Sequence, residues 1–381
     1  MSPLISVKQL SSEELKGKRV LLRSNLNVPV NAGEVVNAFR LEKAQPTIEW
    51  LIERGAKVLL LGHLSRQDGS LRPVAEYFNR SFPTSFIESI DDLDTFADKS
   101  EAVVVLENLR HRPGEIANDP EFAKRLVSVG DLYVNDDFTV SHRRHTSIIG
   151  LPTLLPSYAG LGFVDEVEHL SVALEPEKPF VLILGGAKFD TKVPLVKKFL
   201  PLADRIFIGG ALASSWLKVS GKEVGSSLVD NDLEILKPFL SAEQIMVPVD
   251  VIIKTANDEI KMVGVDEVPA DASIVDIGPK SLRVLAADLS GAKTILWNGP
   301  LGYFEEGFST ATEELAHTLS DSQAKTIIGG GDTVAAIEGL KLMDKFTFVS
   351  TAGGAMLDFL ADGALPGITA LKESQQKFNI K

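Results

Sequence analysis

The strongest constraint on this chain is a rhythm in which short apolar runs alternate with stretches of helical character. In the first half the runs fall at 19–22, 58–61, 103–106 and 132–134. Helical segments lie between them, such as 46–54 and 119–129, the latter opening on Asp119-Pro120 and followed by Gly130. Such alternation predicts βαβ units on a parallel sheet. The theme returns at 180–184, 205–208, 245–253, 273–277, 294–297, 326–328 and 346–349. Between the halves Phe163, Val167, Leu170 and Leu174 recur at helical spacing, and Glu175-Pro176-Glu177-Lys178-Pro179 breaks the pattern. The expected fold is α/β: two Rossmann-like lobes with parallel sheets flanked by helices. The first lobe covers 1–160, a connecting helix 161–176, and the second lobe 177–365.

Bulk properties narrow the function. With 381 residues, two domains are the natural division. No apolar run approaches a membrane span and no secretory leader opens the chain, so a membrane role is not expected. A net charge of −13 argues against nucleic acid as a partner. The sequence has no cysteine, which removes disulfides and thiol chemistry and is compatible with a cytoplasmic protein. A monomer is expected.

Against this acidic background, cationic and amide-bearing residues recur after each of the first four runs. Arg23, Asn25 and Asn27 follow the first run; His63 and Arg66 the second; Arg110, His111 and Arg112 the third. Asn135, Asp136 and Asp137, then His142-Arg143-Arg144-His145, follow the fourth. In an open parallel sheet the carboxyl ends of the strands form the ligand crevice, so these groups should converge into a site for a small, multiply charged anion. The competing use of His142 and His145 is a metal site, for which an i, i+3 pair without a third ligand is weak support.

The second half ends its runs differently: Gly185-Gly186-Ala187-Lys188, Gly209-Gly210-Ala211, Asp276-Ile277-Gly278-Pro279, Asn298-Gly299-Pro300, Gly329-Gly330-Gly331-Asp332-Thr333 and Ala352-Gly353-Gly354. Small residues at strand ends let phosphate or a flat ring reach the backbone, and helix starts favour anions. In the fifth of these, a helix is predicted from Val334, capped by Asp332, whose carboxylate could also hold Mg²⁺ on a phosphate. A tight glycine turn that binds nothing is the plain alternative. Lys188 and Lys192, four apart, would share one helix face toward a phosphate. No Gly-x-x-x-x-Gly-Lys-Ser/Thr loop, no dinucleotide Gly-x-Gly-x-x-Gly fingerprint and no Gly-x-Ser-x-Gly elbow is present, so a dehydrogenase on a similar sheet is poorly supported.

Arg23-x-Asn25-x-Asn27-Val28-Pro29, His63-Leu64-x-Arg66, Glu107-Asn108-Leu109-Arg110, Val134-Asn135-Asp136, His142-Arg143-x-His145, Gly185-Gly186-Ala187-Lys188, Trp297-Asn298-Gly299-Pro300 and Gly329-Gly330-Gly331-Asp332-Thr333 together resemble the phosphoglycerate kinase family. The resemblance runs the length of the chain. It implies reversible phosphoryl transfer between 1,3-bisphosphoglycerate and ADP, giving 3-phosphoglycerate and ATP, with Mg²⁺. It also implies that the tail, 366–381, returns to the phosphoglycerate lobe. By position, Asn25, Asn27, Arg40, His63, Arg66, Arg110 and Arg143 would bind phosphoglycerate. Arg40 and Lys188 would act on the transferring group. Lys192, Gly210, Asn298, Glu305, Gly330, Gly331, Asp332, Thr333, Gly353 and Gly354 would contact the nucleotide, with Asp332 on the metal.

The chain departs from the family pattern in places. Asn25 stands where Asp is usual, keeping an acceptor but losing a charge. Ser65 and Thr139 replace glycines, Thr191 an Asp, and Ala352 interrupts a glycine triplet, changes expected to shift the local backbone. A nucleotide- and anion-binding protein with weakened catalysis is the alternative these departures suggest.

Overall fold

The computed structural model describes residues 4–65, 69–187 and 189–380. The chain divides into two compact units, Met1–Glu168 with Ala364–Lys381, and His169–Gly363.

In the first unit the strands are β1 (Arg19–Ser24), a small hairpin of β2 (Val30–Asn31) and β3 (Glu34–Val35), β4 (Lys57–Leu61), β5 (Thr84–Ile87), β6 (Val103–Leu106), β7 (Leu132–Asp136) and β8 (Ser157–Ala159). Except for the hairpin they form one sheet in the order β5-β6-β4-β1-β7-β8, every pairing parallel. Val20 to Leu22, Val58 to Leu61 and Val103 to Val105 are fully buried, as strands covered on both faces must be. The cover is supplied by α1 (Ser12–Leu15), α2 (Phe39–Glu53), α3 (Arg72–Phe78), α4 (Pro113–Ala117) and α5 (Pro120–Val127). Asp119 caps α5 by accepting from Phe122 N at 2.7 Å, with Pro120 at its first position. The next helix, α6 (Leu161–Leu174), starts in this unit and ends in the other.

The second unit repeats the plan with β9 (Phe180–Leu184), β10 (Arg205–Ile208), β11 (Ile245–Met246), β15 (Thr294–Asn298), β16 (Lys325–Gly329) and β17 (Phe348–Val349), paired in parallel as β11-β10-β9-β15-β16-β17. A separate antiparallel sheet holds β12 (Asp250–Lys254), β13 (Ile260–Gly264) and β14 (Ser273–Ile277) in the order β13-β12-β14. The helices are α7 (Phe189–Phe199), α8 (Gly210–Val219), α9 (Pro279–Leu289), α10 (Thr310–Ser320), α11 (Gly331–Gly339) and α12 (Gly354–Asp362). The last helix, α13 (Pro366–Lys377), belongs to the first unit, where Gln375 Nε2 donates to Ile5 O at 3.1 Å.

Three expectations need correction. The run 245–253 is two strands in different sheets, β11 and β12, with Pro248 in the break, where a missing N–H cannot continue a ladder. The run 273–277 lies in the antiparallel sheet rather than the main one. The helix expected at 46–54 begins at Phe39 and carries Pro46 inside, one lost backbone bond being tolerated because Leu41, Ala44, Ile48 and Leu51 are buried on one side.

Candidate active site

In the first unit the register sets Arg23 of β1 beside Leu61 of β4 and Asn135 of β7, so the loops leaving these strands are neighbours. Arg23 is buried and held by four contacts. Its Nη1 donates to Asp137 Oδ2 at 2.7 Å and Ser24 O at 2.7 Å, its Nε to Ser147 Oγ at 3.0 Å, and its Nη2 lies 2.8 Å from His63 Nδ1. Four of its five N–H donors are thus committed within the protein, so it serves chiefly as a frame for the site. Burial, followed by Arg23, Arg110, Arg143 and His145, drives the His63 imidazole far below its ordinary value, so the ring is neutral. Arg110 is half-buried; burial, then Arg143 and Arg23, lowers its pKa. Arg143 is exposed. His145 is pulled down to about 4 by burial, Arg143 and Arg110.

These mutual shifts describe one positively charged cluster, which an anion would relieve and a cation would aggravate. The field therefore disfavours a metal on His142 and His145. Among the described residues no three His, Cys, Asp or Glu gather for a metal.

On the neighbouring loop, Asn27 Oδ1 accepts from Ser65 N at 2.8 Å, and Asn27 O accepts from Arg40 Nη1. Asn27 thus ties Arg40, at the start of α2, to the loop after β4. The side-chain oxygen of Asn25 is buried without a hydrogen-bond partner among the described residues, an acceptor left open at the strand tip. Arg66 lies outside the described residues, as does Lys188. Ser65, Thr139, Thr191 and Ala352 are not among the positions with positive φ, so the expected strain is absent. Instead, Ser65 Oγ accepts from Asn27 Nδ2 at 2.8 Å, and Thr139 Oγ1 donates to Asp137.

In the second unit the ends of β10, β9, β15 and β16 stand side by side. Gly186, Gly210, Glu305 and Asp332 line a cavity of about 580 Å³, walled by apolar side chains including Val251, Leu217, Tyr303 and Phe304. A flat ring with a charged tail suits such a lining. Several glycines act otherwise than expected. Gly185 N donates to Asn298 O at 2.9 Å, Gly186 N to Pro300 O at 2.8 Å and Gly210 N to Leu301 O at 3.0 Å. Those N–H groups bind loop to loop, and a Cβ on Gly185 would sit 2.1 Å from Pro300 O.

The glycine-rich stretch after β16 also differs. Helix α11 starts at Gly331, its N-cap is Gly330 at φ 100°, and Asp332 is inside the first turn, exposed, making no cap. Thr333 is buried, its hydroxyl accepting from Gly299 N at 3.0 Å. Lys192 is buried too, donating to Asn298 O at 3.0 Å and to Asn298 Oδ1. Its ammonium is directed to the end of β15. Gly353 is the N-cap of α12, which starts at Gly354; neither lines the cavity.

The phosphoglycerate kinase family pattern matches residues 10–363. The chain belongs to the phosphoglycerate kinase family. A curated phosphoglycerate kinase of Rubrobacter xylanophilus is 39% identical over 95% of this chain and 97% of its own length, and one of Thermosipho africanus is 41% identical with the same coverage. The solved structure of phosphoglycerate kinase from Coxiella burnetii superposes with a TM-score of 0.87 at 36% identity, covering 97% of this chain and 99% of that one. The chain is accordingly a phosphotransferase of the kind that acts on a carboxyl acceptor. No described helix is long and apolar enough to cross a membrane.

Some structural partners were not legible as site residues. Glu115, buried in α4, accepts from Ser147 N at 3.0 Å and Ser147 Oγ at 2.5 Å, and burial raises its pKa. Asp276 is buried against the cavity, accepting from Ala311 N at 3.1 Å, its carboxyl pushed up to about 6 by burial. An acid at a strand end carries no sign in the sequence of what it will face.

Proposed function

We propose that this phosphoglycerate kinase family member transfers a phosphoryl group reversibly between 1,3-bisphosphoglycerate with ADP and 3-phosphoglycerate with ATP. The observation that carries the reading is the positive field of Arg110 and Arg143, which surrounds the neutral imidazoles of His63 and His145 at the strand tips of an acidic chain. In the ATP direction of use, a carboxylate oxygen of 3-phosphoglycerate bonds to the γ-phosphorus while the bond to the β,γ-bridging oxygen breaks and ADP leaves. Such transfers depend on positioning and charge neutralisation. Arg40, held through one N–H by Asn27 O, keeps its other donors for the transferring group. Lys188 is assigned to the same group by its place in the sequence.

Glu305 and Asp332 stand at the cavity proposed for the nucleotide. Asp332 is an exposed carboxylate on that lining, a donor set that fits Mg²⁺ bound otherwise by phosphate and water. When bound, the ion neutralises phosphate charge. Direct transfer needs the two substrates to meet with water excluded. The proposal extends to a cytoplasmic monomer.

The test is a coupled spectrophotometric assay of ATP-dependent 3-phosphoglycerate use, run on the wild type, Arg40→Ala and Lys188→Ala. The wild type should turn over, and each variant should lose roughly 10²-fold or more in kcat. Turnover indifferent to both substitutions would remove these two assignments, and no turnover by the wild type would remove the function.

A further inference from the structure

We infer that Glu115 is a positioning residue for the phosphoglycerate site: through Ser147 and Arg23 it fixes the proton of His63 on Nε2. The inference rests on the proposed function of that site and on a continuous chain of hydrogen bonds.

Its direction follows from what each group can do. Arginine only donates, so the 2.8 Å contact between Arg23 Nη2 and His63 Nδ1 requires a lone pair on Nδ1. The neutral ring must then carry its proton on Nε2, and that N–H is the donor His63 has to offer an anionic oxygen. Arg23 reaches this pose because its other edges are occupied by Asp137, Ser24 O and Ser147 Oγ. Ser147 Oγ has one proton. Glu115 Oε1 takes it at 2.5 Å while Oε2 accepts from Ser147 N at 3.0 Å, so the serine lone pair faces Arg23 Nε at 3.0 Å. Glu115 is only 1% exposed, so it acts through these partners and does not itself touch a ligand. A glutamine in its place would bring an N–H where an acceptor is needed and free the serine to turn.

Two measurements on the intact protein test this. Long-range ¹H–¹⁵N NMR of the wild type without ligand should show His63 neutral at pH 7, with Nδ1 unprotonated. Steady-state kinetics of Glu115→Gln and Ser147→Ala should show KM for 3-phosphoglycerate rising roughly fivefold or more, the loss of one charge-assisted link, with KM for ATP within about twofold. Should Glu115→Gln fail to fold, Ser147→Ala breaks the same chain. A wild-type His63 protonated on Nδ1, or a folded variant with KM for 3-phosphoglycerate unchanged or rising in step with that for ATP, would overturn the inference. A wild type with the expected tautomer that does not use 3-phosphoglycerate would instead overturn the proposed function.

Discussion

Arg23 stands near the end of one strand and Arg110 follows another, yet their surroundings give them opposite energetics. Arg23 and Asp137 form a buried pair, with side chains 1% and 0% exposed. Arg23→Ala would leave Asp137 uncompensated in the interior, costing about 3–5 kcal/mol. Arg110 instead has its pKa lowered by burial and then by the like charges of Arg143 and Arg23. Arg110→Ala should raise KM for 3-phosphoglycerate while leaving stability equal or slightly higher. Urea denaturation beside steady-state kinetics separates the two: a stable Arg23→Ala, or an Arg110→Ala as unstable as it, would contradict this division. The residue types at the strand tips were legible in the sequence because charge after an apolar run is conspicuous. Their division into frame and contact was not, since it depends on Asp137 and Ser147, 114 and 124 residues away from Arg23.

Among the elements, α6 shows how a helix is fixed to a sheet. Asp136, the last residue of β7, accepts from Phe163 N at 3.0 Å in the first turn of α6, and a Cβ on Gly160 would lie 2.2 Å from its Oδ1. Burial pushes this carboxyl up to about 7, opposed by hydrogen bonds from Thr47, Phe163 and Gly162. The folded protein therefore keeps a proton that the unfolded chain loses near its ordinary value of 3.8. Between these two values the unfolded state binds fewer protons, so this group's contribution to stability falls as pH rises, by up to about 1.4 kcal/mol per pH unit, and levels off above the folded value. Asp136→Asn stays neutral and keeps an acceptor for Phe163 N. Its urea midpoint should vary less than that of the wild type between acidic and alkaline buffers; an equal or steeper variation would contradict the role given to Asp136.

The helix itself was legible from Phe163, Val167, Leu170 and Leu174, because a 3.6-residue period survives in any sequence. Its anchor was not. Similarly, β5 and β8 escaped the reading: β5 is largely half-buried, and β8 is three residues of Ser, Tyr and Ala, too short for a period to show. The glycine turns were found, but several of their N–H groups serve neighbouring loops, which depends on strand order rather than on local sequence.

For the whole molecule, each unit has its own buried core around its own parallel sheet, so the two halves can carry different ligands. The alternation of apolar runs made this division readable at the scale of lobes, and the family match over residues 10–363 gives it an activity. The central claim is that phosphoglycerate is bound by the cationic cluster of the first unit and nucleotide by the cavity of the second. It is tested most directly by measuring both Michaelis constants in the forward coupled assay for the wild type, Arg110→Ala and Asp332→Asn. Arg110→Ala should raise KM for 3-phosphoglycerate roughly tenfold or more with KM for Mg·ATP near the wild-type value, and Asp332→Asn should do the reverse. A wild type without turnover, or variants that move both constants together, would contradict it.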